Sequence, residues 1–128
     1  MMRPSPDLPV VYLCREAVDF RKGLQALAVL VESQLKLDPF SAQLFAFRNR
    51  RATAVKVLYW ERNGFCLWQK RLEKERFHWP RSSQEAIVTI NGQELNWLLD
   101  GYDIARMKPH QTLRYASVYS AFRGDGML

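Results

Sequence analysis

The spacing of apolar residues along the chain predicts five short β-strands and two amphipathic helices. Each predicted strand is a run of apolar, β-branched or aromatic residues bounded by polar or turn-forming residues. The five runs are Val10 to Cys14, Leu44 to Arg48, Val55 to Glu61, Phe65 to Glu73 and Ala86 to Ile90. One helical pattern follows the first run and another follows the last.

The first helix is predicted from a stripe of apolar residues with a period close to 3.6. The residues of this stripe are Leu24, Leu27, Ala28, Val31 and Leu35. Asp19 is a suitable N-cap because its carboxylate can accept hydrogen bonds from the free amides of the first turn. The helix is expected to run from Asp19 to Lys36 and to end there because Asp38 and Pro39 follow.

The second helix is predicted from its start and stop signals. Asn91 and Glu94 have the spacing of a capping box, in which each side chain accepts from the other residue's backbone amide. Gly101 is expected to end the helix after Asp100. The buried stripe of this helix is predicted to consist of Leu95, Leu98 and Leu99, with Trp97 beside it.

A hairpin is predicted at Asn63-Gly64, because this dipeptide readily takes the positive φ angles of a tight turn. If the loop holds two residues, Tyr59 faces Trp68 across the hairpin. If it holds three, Lys56 faces Lys70, which the repulsion of like charges disfavours. We therefore favour the two-residue register.

These elements predict a single α+β domain over residues 10–115, with a flexible N-terminal arm over 1–9 and a loose tail over 116–128. The domain is expected to contain a small, mostly antiparallel sheet whose centre is a β-meander. The long helix is expected to cover one face, and the shorter helix to close an edge or an end. Alternation in the hairpin is imperfect on both faces, so both are expected to be partly covered, with a second copy of the chain as one candidate.

The net charge of +6 is concentrated in the middle of the chain. Between Arg48 and Arg81 there are ten lysines and arginines against three glutamates, a local excess of seven positive charges. A positive field of this kind attracts polyanions, of which nucleic acid is the commonest. The alternative is a solvated surface that only increases solubility.

The predicted nucleic-acid contacts are the basic residues of the meander. Arginine forks match the geometry of phosphate, and a basic loop beside a strand suits contact with a nucleic-acid backbone. These residues are Arg48, Arg50, Arg51, Lys56, Arg62, Lys70, Arg71, Lys74 and Arg76. Ion pairs with Glu61, Glu73 and Glu75, or contacts to a protein partner, are the alternative use of the same charges.

Five rings in the same region are candidates for stacking on unpaired bases. They are Trp60, Trp68, Phe77, His78 and Trp79. Aromatic residues at strand spacing are more often part of a core. Exposed tryptophan and arginine also dominate protein–protein interfaces, which keeps a partner-binding role open.

No catalytic residue, metal site or cofactor is predicted. The acids fall mainly at predicted caps, turns and exposed faces, and a cap or solvated loop explains Asp100 and Asp103 better than a metal site does. His78 and His110 have no recognisable partners, and no nucleophilic triad or phosphate-binding loop is present. Enzymatic activity of this chain alone is not expected.

Cys14 and Cys66 have neither the spacing of a zinc site nor that of a disulfide framework. Each stands in an apolar strand pattern where buried free thiols are common. The first residues lack a secretory signal, and no apolar run approaches the ~18 residues of a membrane span. We therefore expect a cytoplasmic protein.

Several blocks of this sequence together resemble one family, the TnpB-type or Orf2-like accessory protein of the IS-sixty-six class of bacterial insertion sequences. The blocks are DFRKG at 19–23, DPFS at 38–41, LFAFRNRR at 44–51, KVLYW at 56–60, GFCLWQKRLE at 64–73, RFHWP at 76–80, GYD at 101–103 and KPH at 108–110. The resemblance extends from about Val10 to Tyr115. It departs from the family at Ala52-Thr53, where a loop acid is usual, and at Glu75, where glycine is usual.

The resemblance implies a part in DNA transposition beside a separate, larger transposase, and it implies no agreed catalytic motif. Two hypotheses follow. In the first, the protein is a non-catalytic accessory factor whose basic, aromatic meander binds nucleic acid, with transposon-end DNA as the expected partner. In the second, it is an adaptor that docks on the element-encoded transposase and stabilises its complex.

Overall fold

Five strands form one mixed β-sheet, and a helix packs on each side of it. The computed structural model describes residues 3–8, 10–81 and 84–107 of the 128. The strands are β1 (Val11–Cys14), β2 (Leu44–Arg48), β3 (Ala54–Glu61), β4 (Gly64–Arg71) and β5 (Ile87–Ile90). The helices are α1 (Leu24–Ser33) and α2 (Gly92–Asp100), and a short 3-10 turn follows at Ile104–Arg106.

The strands lie in the order β4-β3-β2-β1-β5. β2, β3 and β4 form the predicted antiparallel meander, and β5 is antiparallel to β1. β1 and β2 are parallel, and α1 supplies the crossover connection that a parallel pair needs. The α+β class and the mostly antiparallel sheet are confirmed.

Each face of the sheet has its own apolar core. On one face α1 packs with Phe45, Phe47 and Leu58. On the other face α2 packs with a larger cluster that includes Val57 and Trp79. The expectation that the short helix closes an edge or an end is wrong, because α2 covers the second face.

Coverage on both faces explains why β2 and the first part of β3 do not alternate between apolar and polar residues. All five residues of β2 are buried, as are the first five of β3. A strand that is buried on both sides reads as a continuous apolar run. The imperfect alternation of the sequence therefore reflects the position of these strands at the centre of the fold.

The first helix is shorter than predicted at both ends. α1 begins at Leu24 with Gly23 as its N-cap, and it ends at Ser33. Asp19 does not cap it. Instead the Asp19 carboxylate accepts from the backbone N–H of Arg21 (2.9 Å), which holds a separate turn.

A tertiary contact explains why the helix does not start earlier. The ammonium group of Lys56 donates to the carbonyl oxygens of Phe20 and Lys22, each at 2.8 Å. In a helix from Asp19 those carbonyls would accept from amides four residues later. Because the buried ammonium of Lys56 binds these carbonyl oxygens instead, the chain stays in a turn. Leu24, which was predicted to be in the apolar stripe, is 39% exposed.

The β3–β4 hairpin has the predicted two-residue loop, but the loop holds Arg62 and Asn63 instead of Asn63 and Gly64. Glu61 pairs with Gly64, and Tyr59 therefore faces Cys66, not Trp68. The positive φ falls on Arg62, at 50°.

The observed register also sets the cross-strand pairs of the hairpin. Trp60 pairs with Phe65, and their rings stand 5.0 Å apart, edge to face. Such ring pairs stabilise a sheet beyond the area that they bury. Lys56 pairs with Gln69, so the repulsive pairing with Lys70 is avoided as predicted.

The predicted capping box of α2 is confirmed. Asn91 Oδ1 accepts from the backbone N–H of Glu94 (2.8 Å), and Glu94 Oε1 accepts from the backbone N–H of Asn91 (3.1 Å). Gly101 ends the helix with a left-handed φ of 100°. The buried side of α2 carries Leu95, Leu98 and Leu99, as expected.

Residues 3–8 of the predicted N-terminal arm lie against α2. Arg3 forms an ion pair with Asp100 (2.7 Å), and the backbone N–H of Gly92 donates to the carbonyl oxygen of Leu8 (2.7 Å). A Cβ atom at Gly92 would clash with the carbonyl oxygen of Ser5, so this close approach requires glycine. The predicted tail over 116–128 lies outside the described residues.

Across the ranges that the structure describes, no helix has both the length and the apolar character needed to cross a membrane.

The capping box makes a prediction about stability. Replacing Asn91 with alanine removes the acceptor for the Glu94 amide, and the free energy of unfolding should fall by ~1 kcal/mol. Chemical denaturation followed by circular dichroism measures this change. The matched control is Gln93→Ala in the same turn, which should change stability little. Equal stability of the two variants would contradict the role assigned to the cap.

Candidate nucleic-acid interface

Two loops come together at the end of the sheet where β3 begins and β4 ends. The backbone N–H of Phe77 donates to the carbonyl oxygen of Ala52 (2.7 Å). The backbone N–H of Leu72 donates to the carbonyl oxygen of Thr53 (2.8 Å). These bonds place the segment 72–81 beside the loop 49–53. We call this part of the surface the basic end, and it is defined by six exposed cations: Arg50, Arg51, Arg71, Lys74, Arg76 and Arg81.

The charges of the basic end are not neutralised within the described part of the chain. None of its six cations forms an ion pair with a carboxylate of residues 3–8, 10–81 or 84–107. Glu73 and Glu75, which the sequence offered as partners, are exposed but make no such pair with them. The six side chains are therefore available to an external polyanion.

Asn49 holds the loop that carries Arg50 and Arg51. Its Oδ1 accepts from the backbone N–H groups of Thr53 (2.9 Å) and Ala54 (3.1 Å), and its Nδ2 donates to Thr53 Oγ1 (2.9 Å). Ala52 has a φ of 56°, a left-handed conformation that costs ~1–2 kcal/mol for a residue with a Cβ atom. The bonds of Asn49 offset that cost and hold the backbone that carries the two arginines.

A groove of about 830 Å³ opens beside this loop. Four arginines line it: Arg48, Arg50, Arg51 and Arg81. Its other wall is the connection between β1 and α1, from Glu16 to Phe20. The groove is open to solvent.

The two acids that line the groove are each held by an arginine outside it. Glu16 pairs with Arg15 (2.9 Å), and Asp19 pairs with Arg21 (2.6 Å). Hydrogen bonds from Arg21 lower the pKa of the Asp19 carboxyl to about 2. Because these carboxylates already have partners, the positive charge of the four groove arginines dominates.

Arg48 and Lys56 are not part of the exposed cationic surface. Arg48 is 8% exposed, and its guanidinium donates to the carbonyl oxygen of Arg15 (3.1 Å from Nη2). Burial lowers the pKa of the Arg48 guanidinium, and the nearby charge of Arg81 acts in the same direction. Lys56 is 7% exposed, and burial lowers the pKa of its ammonium group as well. The prediction that both side chains lie on the binding surface is wrong, although Arg48 still forms the floor of the groove.

Lys70 and Arg62 also lie apart from the basic end. The ammonium of Lys70 donates to the carbonyl oxygen of Leu99 (2.8 Å), at the C-terminal end of α2. Lys56 extends to the opposite face of the sheet, toward α1, so the hairpin lysines do not form one surface. Arg62 stands in the β3–β4 turn, at the other end of β3. The prediction of a single cationic surface over the whole hairpin is corrected to a basic end built from the loops.

Phe77 and Trp79 are core residues, not stacking residues. They are 3% and 5% exposed, and Trp79 Nε1 donates to the carbonyl oxygen of Cys14 (3.0 Å). Trp68 is half-buried against the same core. His78, between the two buried rings, is exposed. The assignment of Phe77 and Trp79 as base-stacking rings is therefore wrong, and the chain uses them to anchor the segment 72–81.

The exposed aromatic surface stands at the other end of the sheet. Phe40 is 54% exposed, and its ring contacts those of Trp60 (5.0 Å) and Phe65 (5.3 Å). We call these three rings the aromatic cluster. Six residues of β3 separate Trp60 from Ala54, which is ~20 Å at the rise of a β-strand. An apolar pocket of about 280 Å³, lined in part by Tyr59, Trp60 and Trp68, adjoins the cluster.

The acidic residues and the cysteines lie in environments that suit structural roles. Within residues 3–8, 10–81 and 84–107, no group of three or more histidine, cysteine or acidic side chains is arranged to hold a metal ion. Asp100 pairs with Arg3, and Asp103 accepts from the backbone N–H of Ala105 (3.1 Å). Cys14 is buried and Cys66 half-buried, and both are free thiols. Burial raises the pKa of the Cys14 thiol, which reduces its reactivity.

Arg81 is the groove residue that the sequence analysis did not include among its candidates. It follows Pro80 in a segment without strand or helix periodicity, so no pattern placed it near Arg50. The hydrogen bonds of Phe77 and Trp79 bring it there. The one sequence signal that could have identified Arg81 was its position in the positively charged stretch from Arg48 to Arg81.

Comparison with known protein families identifies one family for this chain. The family described as IS66 Orf2 like protein matches residues 9–109. Two relatives come from Sinorhizobium fredii (strain NBRC 101917 / NGR234), and both are described as uncharacterized. Protein y4hO is 36% identical over 117 residues, which cover 91% of this chain and 99% of the relative. Protein y4jC is 33% identical over 108 residues, which cover 84% of this chain and 91% of the relative. No solved structure gives a significant match.

The Asn49 contacts make a prediction about the loop. In an Asn49→Ala variant the amides of Thr53 and Ala54 have no acceptor, and the free energy of unfolding should fall by ~1–3 kcal/mol. Denaturant titration measures this decrease, and Asn63→Ala in the exposed hairpin turn is the matched control. If Asn49→Ala unfolded at the same denaturant concentration as the control, Asn49 would not hold the loop.

Proposed function

This chain belongs to the IS66 Orf2-like family and is a transposition-associated accessory protein, and we propose that it acts by binding DNA at its basic end. The proposed role is non-catalytic and cytoplasmic, and the expected DNA is that of the transposon ends. The DNA would be held or delivered there for the separate transposase of the element.

The observation that carries this proposal is the pair Arg50 and Arg51 on a loop fixed by Asn49. Both guanidinium groups are exposed and have no carboxylate partner in the described residues. A guanidinium can donate two parallel hydrogen bonds to a phosphate, and this contact gains from a donor that is already oriented. The loop therefore meets the requirements of a phosphate-binding element.

The remaining cations have different parts in this proposal. Arg81 faces the same groove and would contact a neighbouring phosphate. Arg71 at the end of β4, with Lys74 and Arg76 of the segment 72–81, would extend the interface. Arg48 supplies positive charge from the floor of the groove, but its guanidinium is already bonded to the carbonyl oxygen of Arg15. It would strengthen the field without contacting DNA.

Salt dependence tests the proposal. Binding through phosphates releases counterions, so the logarithm of the association constant falls by ~0.9 per tenfold rise in salt for each phosphate neutralised. The double variant Arg50→Ala/Arg51→Ala should weaken binding to every DNA sequence. It should also flatten the slope by ~0.9 for each phosphate that the variant no longer neutralises. Fluorescence polarisation with labelled element-end DNA at several salt concentrations measures both quantities.

The control removes the same charge elsewhere. Lys36→Ala/Arg62→Ala takes two exposed cations from the opposite end of the sheet. Arg62 lies in the far turn, and Lys36 lies four residues before Phe40 of the aromatic cluster. This variant should lower affinity less and leave the slope nearly unchanged. Equal effects of the two double variants would mean that only net charge matters, and the proposal for the basic end would be withdrawn.

The adaptor hypothesis is supported by a different observation, the exposure of Phe40 in the aromatic cluster. Aromatic anchors beside an apolar pocket are typical of the energetic centre of a protein–protein interface. The cluster and the basic end are ~20 Å apart. One surface could therefore dock on the transposase while the other holds DNA.

Co-purification with the transposase separates the adaptor role from the DNA-binding role. If the cluster docks on the transposase, the two proteins should co-purify after nuclease treatment, and Phe40→Ser should abolish this association. Leu24→Ser, which changes another exposed apolar residue, is the control and should not affect it. A complex that dissolves when DNA is digested would leave only the DNA-binding role.

A further inference from the structure

The two large rings of the segment 72–81 are not available for stacking on bases. Phe77 and Trp79 point into the core and are almost fully buried. Phe20 lines the groove, but it is half-buried and the ammonium of Lys56 lies 4.8 Å from its ring centroid. Among the described residues of the segment 72–81, His78 is the one exposed ring. Proteins that bind single strands usually combine cations with several aromatic platforms.

The rings of the aromatic cluster lie too far away to serve the same nucleotides. The aromatic cluster is ~20 Å from the start of β3, at the opposite end of the sheet. A nucleotide bound to Arg50 and Arg51 cannot place its base on Trp60. The structure has therefore separated the cations from the rings that the sequence interleaves.

Charge density then decides which form of DNA fits the basic end better. A duplex carries one negative charge per ~1.7 Å of its axis, whereas a single strand carries one per ~3.4 Å along the same axis. Six exposed cations confined to one end of a small domain reach more phosphates on the duplex. With His78 as the one exposed ring of the described segment 72–81, a single strand lacks the several aromatic platforms that would compensate for its lower charge density.

We propose that the basic end binds double-stranded DNA in preference to single-stranded DNA, by contacts to the backbone and without reading the bases. This inference rests on the proposed function, and it specifies the form of nucleic acid that the site takes. It also implies that the sequence of the transposon ends is recognised by something other than this surface.

The experiment compares one duplex, a scrambled duplex of equal length, and the separated strands of the first. In fluorescence polarisation at a fixed salt concentration, the duplex should bind at least about tenfold more tightly than either strand. The scrambled duplex should bind within about twofold of the original. Saturating single strand should leave the tryptophan fluorescence of the protein unchanged, and His78→Ala should not alter the ratio of duplex to single-strand affinity.

Other results would overturn the inference. A single strand could instead span both surfaces, with its phosphates at Arg50 and Arg51 and its bases on the aromatic cluster. Single strands would then bind as tightly as the duplex and quench tryptophan fluorescence, and Trp60→Leu would remove part of that quenching. A ratio that depends on His78, or a strong preference for one duplex sequence, would equally exclude backbone-only binding.

The double variant Arg50→Ala/Arg51→Ala distinguishes failure of this inference from failure of the proposed function. If single strands bind best but the double variant still weakens them, DNA binding at the basic end stands and the preference for duplex falls. If no nucleic acid binds better to the wild-type protein than to the double variant, both fall.

Discussion

Burial of the sheet on both faces is the constraint on which the rest of the structure depends. β2 and β3 lie in the middle of the sheet, with α1 on one side and α2 on the other. Phe45 and Phe47 of β2 are almost completely buried, and burying a side chain of this size contributes ~1.5–3 kcal/mol. The cations that fall within these strands cannot reach water freely, so each needs acceptors inside the fold.

The chain meets this need with backbone carbonyl groups. Lys56 bonds to the turn before α1, Arg48 to the carbonyl of Arg15, and Lys70 to the end of α2. The bonds of Lys56 and Arg48 satisfy buried donors that would otherwise cost several kcal/mol each. They also connect the sheet to the segments around it. These three cations, which the sequence predicts on a binding surface, therefore help to stabilise the fold.

The same constraint bears on the two surfaces proposed for binding. Because both faces of the sheet are covered at its centre, the basic end and the aromatic cluster lie at its two ends. One end collects six exposed cations, five on two loops and Arg71 at the end of β4, and the other exposes Phe40 beside Trp60. The local excess of positive charge predicted an exposed cationic surface, and Arg50, Arg51, Arg71, Lys74 and Arg76 are exposed at the basic end. The pattern could not assign Arg81 to the groove, because loop residues have no periodicity that predicts which loops become neighbours.

The sequence by itself determined the number of strands and their order along the chain, the cap and stop of α2, the length of the hairpin loop and the family of the chain. These follow from local signals: apolar period, the pair Asn91 and Glu94, Gly101, and contiguous motifs. Only the tertiary structure decided that α2 covers a face, that Lys56 holds the turn before the first helix so that the helix starts later than predicted, and that Phe77 and Trp79 point inward. Each of these depends on contacts between residues far apart in the chain, and such contacts leave no mark in the spacing of neighbours.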